Sequence, residues 1–195
     1  MSSFINLFEK FHSDITEEER EWLSTKIYDK RFRKNEVITK MGDIANEIYF
    51  IEEGITAIIE DYYKDKKKKE FVLDFRVSGD MACVYTSFLN RQPSKLKLMA
   101  LSPVKAQAMK YDTIQELYET TSWGDRMGRK IAEELFIIKS ERERSLMRDS
   151  ATERYLRLLH TRPELFKRIP LKYIAAHVPI SQQAFCRLRS SFVEV

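Results

Sequence analysis

The sequence predicts an α+β fold with strands first and helices after. Three observations predict it. Residues 32–109 are rich in β-branched and aromatic residues and are broken at Gly42-Asp43, Glu53-Gly54 and Ser78-Gly79-Asp80. From Asp112 onward the pattern is helical, with no glycine after Gly128 and no strand signal. The final segment, Pro170 to Glu194, reads as two short helices around a tight turn.

At the N-terminus, Phe4, Leu7, Phe8 and Phe11 mark one face of a short helix. A second helix is announced by Thr16-Glu17-Glu18-Glu19, where the threonine hydroxyl and the glutamate three residues on cap each other's backbone amides. Strands are expected at Glu36–Thr39, Glu47–Glu52, Thr56–Tyr63, Lys69–Arg76, Lys97–Leu101 and Lys105–Lys110. The lysine run from Lys64 to Lys69 falls between two of these strands. It reads as a solvated hairpin tip that discourages edge pairing, with a nucleic-acid or partner contact as the alternative.

A long helix follows, starting near Ile114 or Trp123 and ending near Met147. Met127, Ile131, Leu135, Ile138 and Leu146 form its apolar stripe, interrupted by Arg142 and widened by Phe136 and Ile137. Such a stripe suits a two-stranded coiled coil, and equally suits packing on the protein's own sheet. In the last segment Leu171, Ile174, Val178, Ile180, Phe185 and Leu188 are the apolar set, and the small Ala175 permits a close helix crossing. Ser181 is a good N-cap for the second helix, whose outer face carries Gln182, Gln183, Cys186, Arg187 and Arg189. Glutamine and arginine read adenine and guanine edges in a major groove. The segment is therefore a candidate helix-turn-helix, with an ordinary amphipathic helical hairpin as the alternative.

Charge favours the DNA reading. Residues 151–195 hold eight Lys/Arg (Arg154, Arg157, Arg162, Lys167, Arg168, Lys172, Arg187, Arg189) against three acids (Glu153, Glu164, Glu194). The whole chain has 34 Lys/Arg and 30 Asp/Glu, which leaves 26 and 27 for the rest. A positive end on a neutral body is the footprint expected of phosphate contacts, with an ordinary solvated surface as the alternative.

With 195 residues, 43% of them hydrophobic, the chain can bury a substantial core. It contains no long uncharged apolar run, so no membrane span is expected. Its start lacks the basic and apolar regions of a secretory signal, and two cysteines, Cys83 and Cys186, form neither a disulfide framework nor a metal-ligand set. A cytoplasmic protein is expected. No Ser/His/Asp grouping, glycine-rich phosphate loop or metal spacing argues for an enzyme.

The segment KMGDIANEIYFIEEGITAII (Lys40–Ile59) resembles the start of a cyclic-nucleotide-binding β-roll, a double-stranded β-helix, with its turns at Gly42 and Gly54 around Tyr49-Phe50-Ile51. LDFRVSGDM (Leu73–Met81) resembles the entry to that family's phosphate-binding cassette. With the long helix and the terminal motif, the order of parts is similar to that of the Crp/Fnr transcription regulators. ERYLRLLHTRPELFKRIPLKYIAAH most resembles their Bacteroidetes members, in which a short helical link replaces the winged hairpin. The resemblance implies a β-roll effector domain with N-terminal helices over residues 1–112, a dimerisation helix over 113–149 and a DNA-binding domain over 150–195. It implies a homodimer on double-stranded DNA, with RNA polymerase as a further candidate partner. Its DNA contacts would come from Lys172, Ser181, Gln182, Gln183, Arg187 and Arg189, and its dimer seam from the five-residue stripe.

The sequence departs from the family at three places. An ungapped reading from Gly79-Asp80 puts Cys83 and Val84 where cyclic-AMP-responsive members carry Gly-Glu, and valine cannot accept the ribose hydroxyl. The same reading puts Ser94 and Lys95 at the Arg-Ser pair that holds the cyclic phosphate; lysine lacks the guanidinium fork, and adjacent strand residues face opposite ways. At roughly 1.5–3 kcal/mol for each charged hydrogen bond, two losses exceed a hundredfold in affinity. Cyclic AMP is not expected as the ligand, leaving an altered pocket for another small molecule or a purely structural roll. An iron–sulfur centre would need four cysteine ligands, and none of His12, His160 and His177 lies in the roll to serve a haem. No cofactor is expected. Third, Pro179 occupies the turn where the motif commonly has glycine. That substitution motivates the alternative of a scaffold or protein-interaction module without DNA binding.

Overall fold

The computed structural model describes residues 3–12, 15–178, 180, 185 and 187, the side chains of Ser3 and Phe11 apart. It divides into two compact units, Met1–Ile58 with Phe75–Ile137 and Ile59–Asp74 with Ile138–Val195. The units do not follow the chain order: one boundary cuts a β-hairpin and another cuts the long helix.

The first unit begins with α1 (Ser3–Phe11), whose Phe4, Ile5 and Phe8 are buried, and α2 (Glu17–Lys26). The capping box at Thr16 is fully formed, with both reciprocal bonds to Glu19. Glu19 also accepts from the indole of Trp123 at 2.8 Å, and that indole stacks on His12.

Eight strands follow: β1 (Tyr28–Phe32), β2 (Val37–Thr39), β3 (Glu47–Glu53), β4 (Ile55–Lys64), β5 (Lys67–Val77), β6 (Met81–Ala82), β7 (Lys97–Ala100) and β8 (Val104–Lys110). They form a sandwich of two four-stranded sheets, ordered β1-β8-β3-β6 and β2-β7-β4-β5. In the first sheet Ala108 faces Tyr28 on one side and Tyr49 on the other, and Ala106 and Ala108 are fully buried. The core includes Ile51, Ile55, Ala57, Val72, Phe75 and Leu98. The lysine-rich tip between β4 and β5 is a two-residue turn in which Asp65 and Lys66 both take positive φ, the hairpin geometry that matches strand twist.

Helix α3 (Tyr85–Asn90) lies between β6 and β7. Of the two expected starts of the long helix, Trp123 is the one that agrees: α4 (Tyr111–Thr120) is a separate helix and α5 spans Gly124–Arg148. Thr121 makes the break: its hydroxyl donates to the Leu117 carbonyl at 2.8 Å and accepts from the Gly124 amide at 3.0 Å. A hydroxyl that satisfies both a helix end and the next helix start removes the incentive to continue.

The second unit contains the outer β4–β5 hairpin, the C-terminal part of α5, α6 (Ala151–Thr161), α7 (Pro163–Arg168) and α8 (Leu171–His177). A second complete capping box, Ser150 with Glu153, starts α6, and Pro163 occupies the first turn of α7. Tyr155 is the centre of the helical core, edge-on to both Phe166 and Phe185, with Leu165, Ile174 and Val178 also buried.

Candidate functional site

Two regions carry the residues singled out from the sequence. The first is the cassette segment of the roll. Gly79 takes a φ of +91°, its amide donates to Ile51 O at 2.8 Å, and Ile51 N returns a bond to Asp80 O at 2.9 Å. This turn is tied to β3, and β6 then pairs with the same strand through Tyr49↔Ala82. Cys83 and Val84 come next and are both buried; Val84 sits at the N-cap of α3 and supplies no side-chain cap. Burial pushes the Cys83 thiol up to about 12, the nearby Arg91 opposing, so it remains an unreactive thiol at neutral pH.

Ser94 is buried and Lys95 exposed, but the reason is not strand alternation, because β7 starts only at Lys97. Ser94 belongs to a loop locked to the Gly42-Asp43 turn: Gly42 N donates to Ser94 O, and Ser94 N donates to Asp43 O, both at 2.8 Å. Its hydroxyl donates to Leu96 O at 2.6 Å and accepts from Leu96 N at 3.0 Å. Ser87 is similarly engaged, accepting from Ala45 N and donating to Gln92 O.

The sequence reading overlooked Arg91. It ends α3 in the left-handed conformation, with φ 55°, and is the lone arginine between Arg76 and Arg126. Its guanidinium donates to Ala45 O at 2.8 Å and to Asn46, and lies 3.9 Å from the Tyr111 ring centre. It lines a cavity of about 330 Å³ with Thr39, Glu47 and Asp112. Isolation in the sequence was the available signal; the ungapped register hid it.

The second region is the C-terminal unit. Lys172 lies 4.0 Å from Glu70 and over the ring of Tyr173. Phe185 is 1% exposed, whereas Arg187, two positions on and also helical, is exposed. Two residues span about 200° on a helix, so they occupy opposite faces. Ser181, Gln182, Gln183 and Arg189 lie outside the described residues, as do Pro179, Cys186 and Leu188.

The expected dimer stripe divides along its length. Met127 and Ile131 are buried in the single chain and Leu135 is half-buried, whereas Ile138 and Leu146 are exposed at 49% and 36%. Phe136, Ile137 and Met147 of α5 are also exposed, at 72%, 57% and 79%. At 100° per residue these three fall within one sector of the helix.

Within the same unit His177 is held in one tautomer. Its Nδ1–H donates to Val72 O at 3.1 Å, while Nε2 accepts from Arg142 at 2.9 Å. Burial, then the Arg142 charge, lowers its pKa to about 4. Folding therefore disfavours the proton, and the unfolded chain takes it up first as pH falls below the ordinary histidine range. The stability that neutral His177 contributes is complete above about pH 6.5 and disappears on descent toward pH 4. It amounts to at most roughly 3 kcal/mol, reduced by solvent at the partly exposed ring. In denaturant unfolding, His177→Gln should be less stable than the wild type at pH 7, with the gap closing toward pH 4. A gap that does not change with pH contradicts this assignment.

Residues 29–121 match the family described as the cyclic nucleotide-binding domain, and this segment has that fold. No curated protein matches the sequence. Among solved structures, the chain is similar to a transcriptional regulator of the Crp/Fnr family from Eubacterium rectale, at 12% identity and a TM-score of 0.72 over 92% of this chain and 84% of that one. It is similar to FixK2 from Bradyrhizobium japonicum at 16% identity and a TM-score of 0.68, covering 85% and 83%. It is also similar to CLP, the c-di-GMP-responsive global regulator of Xanthomonas campestris, at 19% identity and a TM-score of 0.64, covering 88% and 89%. At these identities the likeness is one of fold. Among the described residues there is no helix long and apolar enough to cross a membrane, and no His/Cys/Asp/Glu group able to hold a metal.

Proposed function

We propose that the chain is a homodimeric, DNA-binding transcription regulator of the Crp/Fnr type whose roll does not respond to cyclic AMP. The observation that carries this reading is the order of parts: a cyclic-nucleotide-binding-type roll, a 25-residue helix, then a basic helical unit with Phe185 inward and Arg187 outward. Phosphate and base contacts would come from Lys172, Ser181, Gln182, Gln183, Arg187 and Arg189 in a helix-turn-helix. The dimer seam would run along α5, where a second copy would cover the exposed Ile138 and Leu146 of the stripe or the exposed Phe136, Ile137 and Met147. RNA polymerase is the further partner of such a dimer at a promoter. The resemblance of the terminal link supports a likeness to the Bacteroidetes members of that type.

Rejection of cyclic AMP follows from the cassette. Val84 offers no acceptor to a ribose, the Ser94 hydroxyl already donates and accepts, and the Arg91 guanidinium is held by Ala45, Asn46 and Tyr111. The test is fluorescence anisotropy of a duplex from upstream of the protein's own gene, at low salt, with and without cyclic AMP. Binding that cyclic AMP leaves unchanged is expected. Binding that requires the nucleotide overturns the cassette reading, and absence of binding under both conditions counts against DNA function.

A further inference from the structure

The C-terminal unit carries a second cavity, of about 240 Å³ and open to solvent, lined by α5, α6 and α8 with Asp74 of β5. Its lining is strongly cationic. Arg142, Arg154, Arg157 and Arg162 converge on it, against the carboxylates of Asp74 and Glu141. Nearby Asp149 does not redress the balance, because it is shared by Arg157, at 2.5 Å, and Arg148, at 2.9 Å. Four guanidinium groups thus line the cavity with two carboxylates, and Arg142 and Arg154 among them are partly buried. Like charges withdrawn from water are costly unless an anion joins them.

The hydrogen bonds of these arginines show where an anion would be received. Those of Arg142 run to neutral acceptors, the Val72 and His177 carbonyls and the His177 ring. Arg154 donates through Nη1 to the Asp149 carbonyl, but its Nε is buried and has no acceptor. A charged, buried donor lacking an acceptor in a cationic cavity is a vacancy for an oxyanion. The buried Ser145 hydroxyl accepts from Arg157 at 2.7 Å and donates to the Asp149 carboxylate, so it holds those two groups in place beside the cavity. Guanidinium forks match the oxygens of a phosphate better than those of a point acceptor. A volume of about 240 Å³ suits a ligand of triose-phosphate size.

We propose that this cavity binds a small phosphate monoester of about triose size, received by Arg154, Arg142 and Arg162. Since α5 and α6 both supply ligands, occupation would fasten α6 to the end of α5. The site does not depend on the DNA-binding reading. It can be tested by calorimetric titration of the full chain with glycerol 3-phosphate, alongside sodium chloride at matched ionic strength.

Saturable binding at one site per chain is expected, weakened about tenfold or more in Arg154→Gln and in Arg162→Gln, and unchanged in Lys34→Gln of the other unit. Circular dichroism of each variant shows that it is folded. The proposal is overturned if the wild type takes up no probe at about 10 mM, if chloride reproduces the heat, or if both arginine variants bind like the wild type. Silence toward the probe combined with weakened duplex binding in Arg154→Gln would assign these arginines to the DNA backbone instead, which also overturns it.

Discussion

Replacing Gly54 with alanine should lower the melting temperature of the roll by about 10 °C, the largest effect expected of any single methyl group in the chain. Gly54 joins β3 to β4 with a φ of +103°. Any residue with a Cβ pays roughly 1–2 kcal/mol to hold such a conformation. A Cβ there would also lie 2.3 Å from Pro103 O and 2.9 Å from Val104 Cα, both backbone atoms that cannot rotate away. Overpacking of that kind costs about 1–3 kcal/mol more. The sum, on the order of 4 kcal/mol, is a large part of an ordinary domain's 5–15 kcal/mol. Gly79 supplies the comparison, since its φ is +91° but nothing lies within 4 Å of a built Cβ. Gly79→Ala should therefore show the conformational cost alone, and equal losses for the two variants would refute the steric part.

The second large effect belongs to Arg187. Its partner on the inner face, Phe185, is buried against Tyr155 with ring centres 5.4 Å apart, which fixes the outward direction of Arg187. If Arg187 contacts a base, Arg187→Ala removes about 1–3 kcal/mol per half-site. A dimer loses two such contacts, so the operator affinity should drop on the order of a hundredfold or more. Sedimentation should find the same dimer in both proteins. Unaltered affinity with an intact dimer would remove Arg187 from the interface.

Glycine turns and apolar alternation made most of the sandwich legible in the sequence. The expected ranges for β3, β4, β5, β7 and β8 agree with the structure to within two residues at either end. β1 escaped notice because Asp29, Lys30 and Arg31 occupy its centre and none of its residues is fully buried. β6 has two residues, too few to show any period. The start of the long helix stayed open between Ile114 and Trp123, because the interruption at Thr121 depends on one hydroxyl bonding in two directions.

The site was less legible than the fold. Val84 and Ser94 were visible as departures, but the engagement of Ser94 with Leu96 depends on a loop that joins the Gly42-Asp43 turn. On α5, periodicity located a stripe without distinguishing a face turned to the protein's own core from one turned to a partner. Met127 and Ile131 are buried in the single chain, whereas Phe136 and Met147 are exposed. The arginine cavity could not be read at all, since Arg142 and Arg162 are twenty residues apart and Asp74 is in a strand.

The central claim is specific DNA binding by a two-fold assembly, and the most direct measurement is sequencing of genomic fragments retained by the purified full chain at about 50 and 200 mM salt. The account predicts enrichment of an inverted repeat with half-sites about 34 Å apart, and retention that falls steeply at the higher salt. Recovery of no common sequence, or retention indifferent to salt, would contradict it.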